Sequence, residues 1–455
     1  MKLRILATLV LFFIALHSFG QLKVSADQRF LETKKGMPFF WLGDTAWELF
    51  HRLSREEADL YLSDRAKKGF TVIQAVVLAE LSGLDTPNYY GNRPLFDNDP
   101  LKPNEAYFKH VDYIVNKASK LGLIIAMVPS WGDKWNKAWG VGPEIFTPAN
   151  AGPFGEYLGR RYKNKPLIWV MGGDRNIENA EDSEIIRAMA VGIKKGDDGA
   201  HLITFHPTGA RSSSEYFNED KWMDFHMSQT GHSSDSKNYK FNAKNRALTP
   251  TRPYLDGEPR YEDHPNQFNP VKFGWMDDFD ARQTAYSSML SGACGHTYGN
   301  HNIWQFYAEG RLPISGARTH WKTALSHPGS TQVGLMRRVL EKRPWQRLVP
   351  DQTIIVGDNA ENVEYKVSSV SRDGDFMMVY IPYGSATKVD TRKIAGKLLR
   401  AWWFNPRDGR TISLGTFENN GIKEFRPGST GRGSDWLLVI DDAAKGYSDP
   451  AVDRS

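Results

Sequence analysis

Alternation between strand-like and helix-like segments is the feature that most constrains the fold. Short apolar runs rich in β-branched residues alternate with helical patterns from residue 39 to residue 343. The run 71–78 is apolar almost throughout, as in a parallel strand covered on both faces. Ser54 and Glu57 form a capping-box pattern that opens the first helix, and Gly69 ends it. The predicted strands are 39–43, 71–78, 123–128, 167–171, 202–206, 223–227, 253–256 and 295–298.

These eight strands predict an α/β fold, a (β/α)8 TIM barrel over residues 21–348. A doubly wound open sheet is the alternative, but it usually carries a glycine-rich phosphate loop after an early strand, and the sequence has none. The helix between the fifth and sixth strands is poorly marked. The predicted helices are 54–68, 104–121, 149–162, 183–195, 278–290 and 319–343.

The pattern changes after Pro350, where short strand-like runs are separated by turn signals. Asp373-Gly374 and the stretch 405–409 each lie between two such runs. We therefore expect a small antiparallel β-sandwich domain at 349–442, followed by a frayed tail at 443–455.

The first 20 residues have the pattern of an export signal. Lys2 and Arg4 precede an apolar run at 5–15, and small residues lead to Gln21 as a mature N-terminus. The run is short for a membrane span, which disfavours the alternative of an uncleaved anchor. No Cys lies near the cleavage site, and the single Cys294 excludes an internal disulfide framework. The expected location is the periplasm or the outside of the cell.

Charge and aromatic content favour a saccharide as the partner. The net charge is +5, of which Lys2 and Arg4 carry two charges, and no basic stripe indicates nucleic acid. The 14 Trp and 18 Tyr often lie in Gly- and Asp-rich turns, where rings can stack on the C–H faces of sugars. No later segment resembles a membrane span, and a P-loop and a serine-hydrolase elbow are both absent from the sequence. We expect a monomer that binds a poly- or oligosaccharide and needs no cofactor.

Two acids at strand ends fit the carboxyl pair that glycosidic bond hydrolysis requires. Active sites of (β/α)8 barrels lie at the C-terminal ends of the strands. Asp174 follows the fourth strand after Gly172-Gly173, and Glu258 follows the seventh after Gly257. These strands face each other across the barrel mouth, so one acid can protonate the leaving oxygen while the other attacks the anomeric carbon or activates water.

Other roles for these residues remain open. Either acid could instead be a structural partner of the adjacent Arg175 or Arg260. The histidines at 206, 226 and 232 could hold zinc, although no HxH or HExxH pair is present, and we therefore predict no metal. The predicted substrate-binding residues are Asp44, Trp47, Trp131, Trp135, His206, His226, Gln229, Tyr261 and Trp304.

Several motifs resemble the apiosidase-like glycoside hydrolases of family 140. The resemblance is carried by 39–47 (Phe-Phe-Trp-Leu-Gly-Asp-Thr-Ala-Trp), 169–176, 255–259 and 299–304, and it extends from about residue 21 to the C-terminus. It implies a (β/α)8 barrel that acts on plant pectin at linkages involving the branched sugar apiose. The family's catalytic Asp and Glu would fall on Asp174 and Glu258. The C-terminal segment is similar to a small β domain that has carried a collagen-binding label.

The sequence thus predicts a metal-independent glycoside hydrolase. Asp174 would be the general acid and Glu258 the nucleophile, an assignment made by analogy with other barrel hydrolases. In an inverting enzyme the two would act as acid and base. Another furanoside as substrate, or a non-catalytic carbohydrate-binding role, are the alternatives.

Overall fold

The computed structural model describes residues 21–452, and the predicted export signal at 1–20 lies outside this range. Eight parallel strands form the barrel, and the confirmed fold class is a TIM barrel with C-terminal antiparallel sheets. The barrel strands are β1 (Trp41–Thr45), β2 (Val72–Leu78), β3 (Ile124–Ser130), β4 (Leu167–Gly172), β5 (Ile203–His206), β6 (His226–Gln229), β7 (Tyr254–Asp256) and β8 (Gly295–Tyr298).

Closure of the barrel occurs at two different kinds of seam. Strand β8 pairs in parallel with β1, with His296 opposite Leu42. Between β5 and β6 the contact is looser: the Asp224 N–H donates to Ile203 O at 2.9 Å, and Thr204 Oγ1 donates to Phe225 O at 2.7 Å. A short antiparallel segment, Arg211–Ser212, pairs with β6. All eight carboxyl ends therefore converge on one rim.

Helices cover the outside of the barrel. Ser54 caps the first helix through the predicted capping box with Glu57. The predicted single helix at 319–343 is wrong: Trp321–Ala324 is a separate turn, because Pro328 begins a new helix and disfavours helical backbone just before it. The helices between the barrel strands are α1 (Arg55–Lys67), α2 (Glu105–Lys120), α3 (Pro148–Tyr162), α4 (Ala180–Gly196), α5 (Ser214–Phe217), α6 (Asn238–Arg246) and α7 (Asp278–Leu290), and α8 (Pro328–Glu341) follows the last strand. Single helical turns also form at Leu49–Arg52, Pro270–Phe273, His301–Trp304 and Trp321–Ala324.

A small antiparallel sheet precedes β1. It consists of Leu22–Val24, Leu31–Thr33 and Pro38–Phe39. Its apolar side chains share one buried cluster with residues at the starts of the barrel strands, such as Ile124 and Leu202. This sheet therefore closes the end of the barrel opposite the rim. No helix within residues 21–452 is both long and apolar enough to cross a membrane.

Two antiparallel sheets form the C-terminal domain. The larger has the order β9-β11-β12-β17-β14-β15, and the smaller has the order β10-β13-β16. One face of the larger sheet shares the barrel's apolar core, while its other face packs against the smaller sheet. The strands are β9 (Leu348–Pro350), β10 (Ile355–Val356), β11 (Val367–Ser371), β12 (Phe376–Ile381), β13 (Thr387–Asp390), β14 (Leu398–Phe404), β15 (Thr411–Glu418), β16 (Ile422–Phe425) and β17 (Trp436–Asp442).

Buried ion pairs also join the barrel to this domain. Arg282 on α7 makes two hydrogen bonds to Asp435, at 2.9 and 3.0 Å. Arg343, just after α8, makes two to Asp441, at 2.5 and 3.0 Å. Near the end of the described chain, Tyr447 packs against the apolar core and the Val452 N–H donates to Gly409 O at 3.0 Å.

Candidate active site

The rim of the barrel surrounds a cleft of about 580 Å³. It lies at the C-terminal ends of the strands, where (β/α)8 barrels carry their active sites. Its walls combine aromatic rings with carboxyl, imidazole and amide groups. The lining residues are Trp47, Glu80, Trp131, Trp139, Asp174, Thr208, Gly209, Gln229, Gly231, His232, Glu258, Tyr261, His264, Phe268, His301, Trp304, Ile314 and Ser315.

Asp174 reaches the cleft because the backbone after β4 turns sharply. Gly172 and Gly173 have φ angles of 95° and 96°, and Asp174 itself has a φ of 56°, which is uncommon for a residue with a side chain. A Cβ on Gly173 would lie 2.9 Å from the Gly132 nitrogen, so this close approach requires glycine. The turn leaves the Asp174 side chain 22% exposed at the cleft.

Arg175 anchors this turn instead of neutralising the acid beside it. Its Nη1 donates to the Asp174 carbonyl at 2.7 Å, while the Asp174 Oδ2 lies 3.8 Å away. The remaining nitrogens donate to Asn136 O at 2.9 Å and Lys137 O at 3.1 Å. The guanidinium also lies 4.1 Å from the ring centre of Trp139, a cation–π contact. Arg175 thus fixes the loop that carries Trp139 to the cleft.

Two histidines flank the Glu258 carboxylate. His206 Nε2 lies 3.0 Å from Oε2, and His232 Nε2 lies 3.0 Å from Oε1. The Asp174 N–H donates to His206 Nδ1 at 3.2 Å. This bond makes Nδ1 the acceptor and assigns the proton to Nε2, which faces Glu258. His206 therefore contacts the backbone of one acid and the side chain of the other.

The environment gives the two acids opposite protonation states. Burial, followed by the charge of Glu258, raises the pKa of Asp174 to about 7, although His206, Arg175 and Gln229 oppose the rise. Burial would also raise the pKa of Glu258, but the interactions of its carboxylate with His206 and His232 outweigh it and lower that pKa to about 2. Between these values Asp174 holds its proton while Glu258 is ionised, which is the division of roles that acid-assisted attack needs.

Six of the nine predicted binding residues come together at the cleft. Trp47 and Trp131 pack with ring centres 5.2 Å apart, and His206 lies 5.4 Å from Trp47. Trp131 Nε1 and Gln229 Oε1 are buried and have no hydrogen-bond partner among the described residues, which suits a site that receives a polar ligand. The residues placed here are Trp47, Trp131, His206, Gln229, Tyr261 and Trp304. Gly299 leaves space for the Tyr261 side chain, because a Cβ at position 299 would lie 2.1 Å from the tyrosine ring.

The other three predicted binding residues lie elsewhere, and their assignment is corrected. Asp44 is fully buried and accepts hydrogen bonds from Tyr61 at 2.6 Å and Arg65 at 2.5 Å. Trp135 lies in the core between barrel and helices, with Nε1 donating to Gly172 O at 3.2 Å. His226 begins β6 and therefore lies away from the rim. Its ring nitrogens contact the side chains of Ser213 and Asn218.

The zinc alternative does not fit this arrangement. His206 and His232 both face Glu258, whereas His226 is separated from them at the start of its strand. Across residues 21–452, no cluster of three or more His, Cys, Asp or Glu side chains is arranged to hold a metal ion.

Sequence reasoning left several cleft residues out of the predicted site. Glu80 follows β2, and burial together with the charges of Asp174, Glu48 and Asp133 raises its pKa to about 8. His264 stacks on His232 with ring centres 4.3 Å apart, and His301 packs edge-on to His264 at 4.4 Å. The position of Glu80 just beyond a strand end was a usable signal, but the histidine contacts join segments distant in sequence.

Comparison with known proteins identifies the family of each part of the chain. Residues 25–347 match the family described as the apiosidase-like catalytic domain, and residues 349–441 match a collagen-binding domain family described from a collagenase. No curated protein matches the chain in sequence.

Solved structures show the same similarity over nearly the whole chain. One, described as a glycoside hydrolase, is 33% identical with a TM-score of 0.87, covering 95% of this chain and 99% of that one. Another, a glycoside hydrolase family 5 protein from Bacteroides vulgatus ATCC 8482, is 32% identical with a TM-score of 0.87 and 95% coverage of both chains. A further glycoside hydrolase structure from that organism, 16% identical with a TM-score of 0.68, covers 93% of this chain and 82% of its own, and shares the fold.

Proposed function

Since the chain belongs to the apiosidase-like family of glycoside hydrolases, we propose that it cleaves apiose-containing linkages in pectin side chains of the rhamnogalacturonan-II type. The single observation that carries the catalytic part is that Asp174 and Glu258 line one cleft, with His206 and His232 each 3.0 Å from a Glu258 carboxylate oxygen. The description of the family as apiosidase-like supports apiose as the sugar that is released.

Asp174 is assigned as the general acid. Its proton passes to the glycosidic oxygen as the bond to the anomeric carbon breaks, and the leaving group departs as a neutral alcohol. A pKa near neutrality lets the same carboxylate later accept a proton from the attacking water.

Glu258 is assigned as the nucleophile. One carboxylate oxygen attacks the anomeric carbon and forms a glycosyl ester, which water then hydrolyses to release the sugar with its configuration retained. His206 and His232 keep this carboxylate ionised, and the hydrogen bond between His232 Nε2 and Oε1 fixes its orientation. The Asp174 backbone N–H in turn orients His206, so the two acids are positioned together.

Substrate binding is assigned to the aromatic and polar walls of the cleft. Trp47, Trp131 and Trp304 would stack against the sugar ring, while Gln229 and Tyr261 would contact hydroxyl groups. Glu80 holds its proton at neutral pH and can therefore donate a hydrogen bond to the substrate.

Export and a monomeric state complete the proposal. The basic start and apolar run of residues 1–20 support a cleaved signal, with Gln21 as the first mature residue. N-terminal sequencing of the extracytoplasmic fraction and light scattering of the purified protein test these two points. A start at Met1 or a dimer mass would reject the corresponding assignment.

The main experiment measures sugar release from rhamnogalacturonan-II fragments and from a panel of aryl furanosides, with and without a chelator. We expect free apiose, unchanged by the chelator. Proton NMR of the first-formed anomer should show retention, and inversion would make Glu258 a base. Release of a different furanose would replace the substrate assignment. Binding of every substrate without turnover would favour the non-catalytic carbohydrate-binding alternative.

A further inference from the structure

A second cavity lies between the barrel and the C-terminal domain. This seam pocket measures about 370 Å³, within the range of roughly 300–1,000 Å³ that small-molecule sites occupy. Its walls come from the loop after β6 with the start of α6, from α7, and from residues 361–365 of the C-terminal domain. No residue lines both this pocket and the catalytic cleft.

Arg260 supplies a buried positive charge to the seam pocket. It is 6% exposed, and its nitrogens donate to Ser233 O at 3.1 Å, Ser236 O at 2.7 Å and Gln283 Oε1 at 2.6 Å. All three acceptors are neutral, and within residues 21–452 no carboxylate forms an ion pair with it. Because a guanidinium has five N–H donors, two remain for another acceptor.

Such an arrangement is unusual because a buried charge is costly unless a countercharge compensates it. Burial lowers the pKa of Arg260, against the raising effect of Asp280 and Asp235. Asp280 is itself paired with Arg432 at 2.7 Å. The charge on Arg260 thus favours an anion beside it.

The other polar groups of the pocket leave room for such an anion. Glu361 at the mouth is already paired with Lys240, and Lys237 lies 3.9 Å from it. Asp235 also lines the pocket, but it is exposed and forms no ion pair or hydrogen bond with Arg260 among the described residues. Neither carboxylate therefore occupies the position next to Arg260.

Aromatic and hydroxyl groups add a surface suited to a sugar. Tyr239 stacks on Tyr365 with ring centres 4.2 Å apart and an angle of 25°, which joins the barrel to the C-terminal domain. The buried Tyr239 hydroxyl has no hydrogen-bond partner among the described residues. Ring faces and hydroxyls of this kind match the C–H faces and hydroxyl groups of a pyranose.

We propose that the seam pocket binds a uronic acid residue, with the sugar carboxylate paired to Arg260 and Lys237 and the sugar ring next to Tyr239. A guanidinium binds a carboxylate more strongly than a neutral oxygen, which gives the pocket a preference for acidic over neutral sugars. The site is separate from the catalytic cleft and does not depend on which glycosidic bond the cleft hydrolyses.

Calorimetric titration of the full chain with D-galacturonate and with D-galactose tests the proposal. We expect binding of galacturonate and at least about tenfold weaker binding of galactose and of acetate, because galactose lacks the carboxylate and acetate lacks the sugar ring. Galactose or acetate binding as tightly as galacturonate would overturn it, as would the absence of galacturonate binding.

Variants locate the bound sugar. Lys237→Gln and Asn362→Asp change the charge at the pocket wall and should each weaken galacturonate binding about two- to fivefold. Arg260→Gln should weaken galacturonate binding about tenfold or more. If Arg260→Gln fails to fold, Lys237→Gln and Asn362→Asp still test the site. Lys240→Gln is the matched control, since Lys240 pairs with the same Glu361 but does not line the pocket.

A cleft variant separates this site from the catalytic one. Trp131→Ala should leave galacturonate binding within about twofold, because Trp131 lines only the cleft. Loss of binding in Trp131→Ala, or unchanged binding in both Lys237→Gln and Asn362→Asp, would overturn the proposal. Loss of hydrolytic activity alone would affect the proposed function and not this site.

Discussion

Asp44 and Glu258 are both buried carboxylates at the rim end of barrel strands, yet their surroundings differ. Asp44 is enclosed by Tyr61 and Arg65, which is itself fully buried. Glu258 contacts two imidazoles and still lines the cleft. The comparison shows that a position at the end of a barrel strand is not enough to make a carboxylate catalytic. Access to the cleft and neighbours that control its proton determine whether the acid can act on substrate.

Glu258→Gln should have the largest effect, because it removes the attacking carboxylate. We expect kcat to fall on the order of 10⁴- to 10⁶-fold while the thermal midpoint stays close to that of the wild type. Steady-state kinetics on an aryl glycoside measure the loss. Glu262→Gln is the matched control: Glu262 is also buried, but it bonds Gly329 N at 3.0 Å and does not line the cleft. Equal losses in both variants would contradict the assignment.

Asp174→Asn should cost about 10²- to 10⁴-fold in kcat/KM on substrates with poor leaving groups, and much less with a dinitrophenyl leaving group that needs no proton. In the wild type, activity should fall as the pH rises through about 7, because Asp174 then loses its proton. A pH profile of kcat/KM should lose this basic limb in Asp174→Asn. Asp256→Asn tests the source of the limb, since burial also raises the pKa of Asp256 to about 7 outside the cleft. A limb lost only in Asp256→Asn would refute the role of Asp174.

Asp44→Asn should lower stability and spare catalysis. The change leaves Arg65 buried with only the partly exposed Asp64 as an ion partner, which costs about 3 kcal/mol in the free energy of unfolding. Urea denaturation measures this cost, and kcat of the folded enzyme should stay close to the wild-type value. Replacing both partners, as in Asp44→Leu with Arg65→Met, should recover part of the stability. A stable but inactive Asp44→Asn enzyme would restore Asp44 to the substrate site.

His232→Ala should produce the smallest change, a shift in the acidic limb of the pH profile. Without the His232 hydrogen bond the pKa of Glu258 rises, so activity is lost at a higher pH, by about one unit. His226→Ala is the control, because His226 is buried and contacts Ser213 and Asn218 away from Glu258. This variant should leave the acidic limb at the wild-type pH. If the acidic limb moves equally in both variants, the loss of activity at low pH reports unfolding of the protein and not protonation of Glu258.

Much of the barrel could be predicted because its hydrophobic pattern is strong. The helix expected at 278–290 is α7 with the same bounds, and the capping box at Ser54 forms as predicted. The four-residue α5 and the small sheet at the barrel base were not predicted, since such short elements show no periodicity.

For the site, the strand-end rule brought together Asp174 and Glu258 but also included residues that face elsewhere. His226 and Gln229 belong to the same strand, yet only Gln229 reaches the rim, because His226 begins β6 and Gln229 ends it. Asp44 was misassigned because its partner Arg65 comes from a neighbouring helix. Long-range partners of this kind leave no local pattern in the sequence.

The paired arginines at the junction have a consequence for engineering and for the evolution of multidomain enzymes. Cutting the chain after the barrel would remove Asp435 and Asp441 from Arg282 and Arg343, and it would expose the apolar side chains of α7 and α8 that share a core with the larger sheet. Exposed apolar surface of this kind destabilises the fold and promotes aggregation, so the barrel should not survive as an autonomous module. The C-terminal domain is therefore a fixed part of the architecture, and a transplant onto another barrel would have to carry both arginine positions with it.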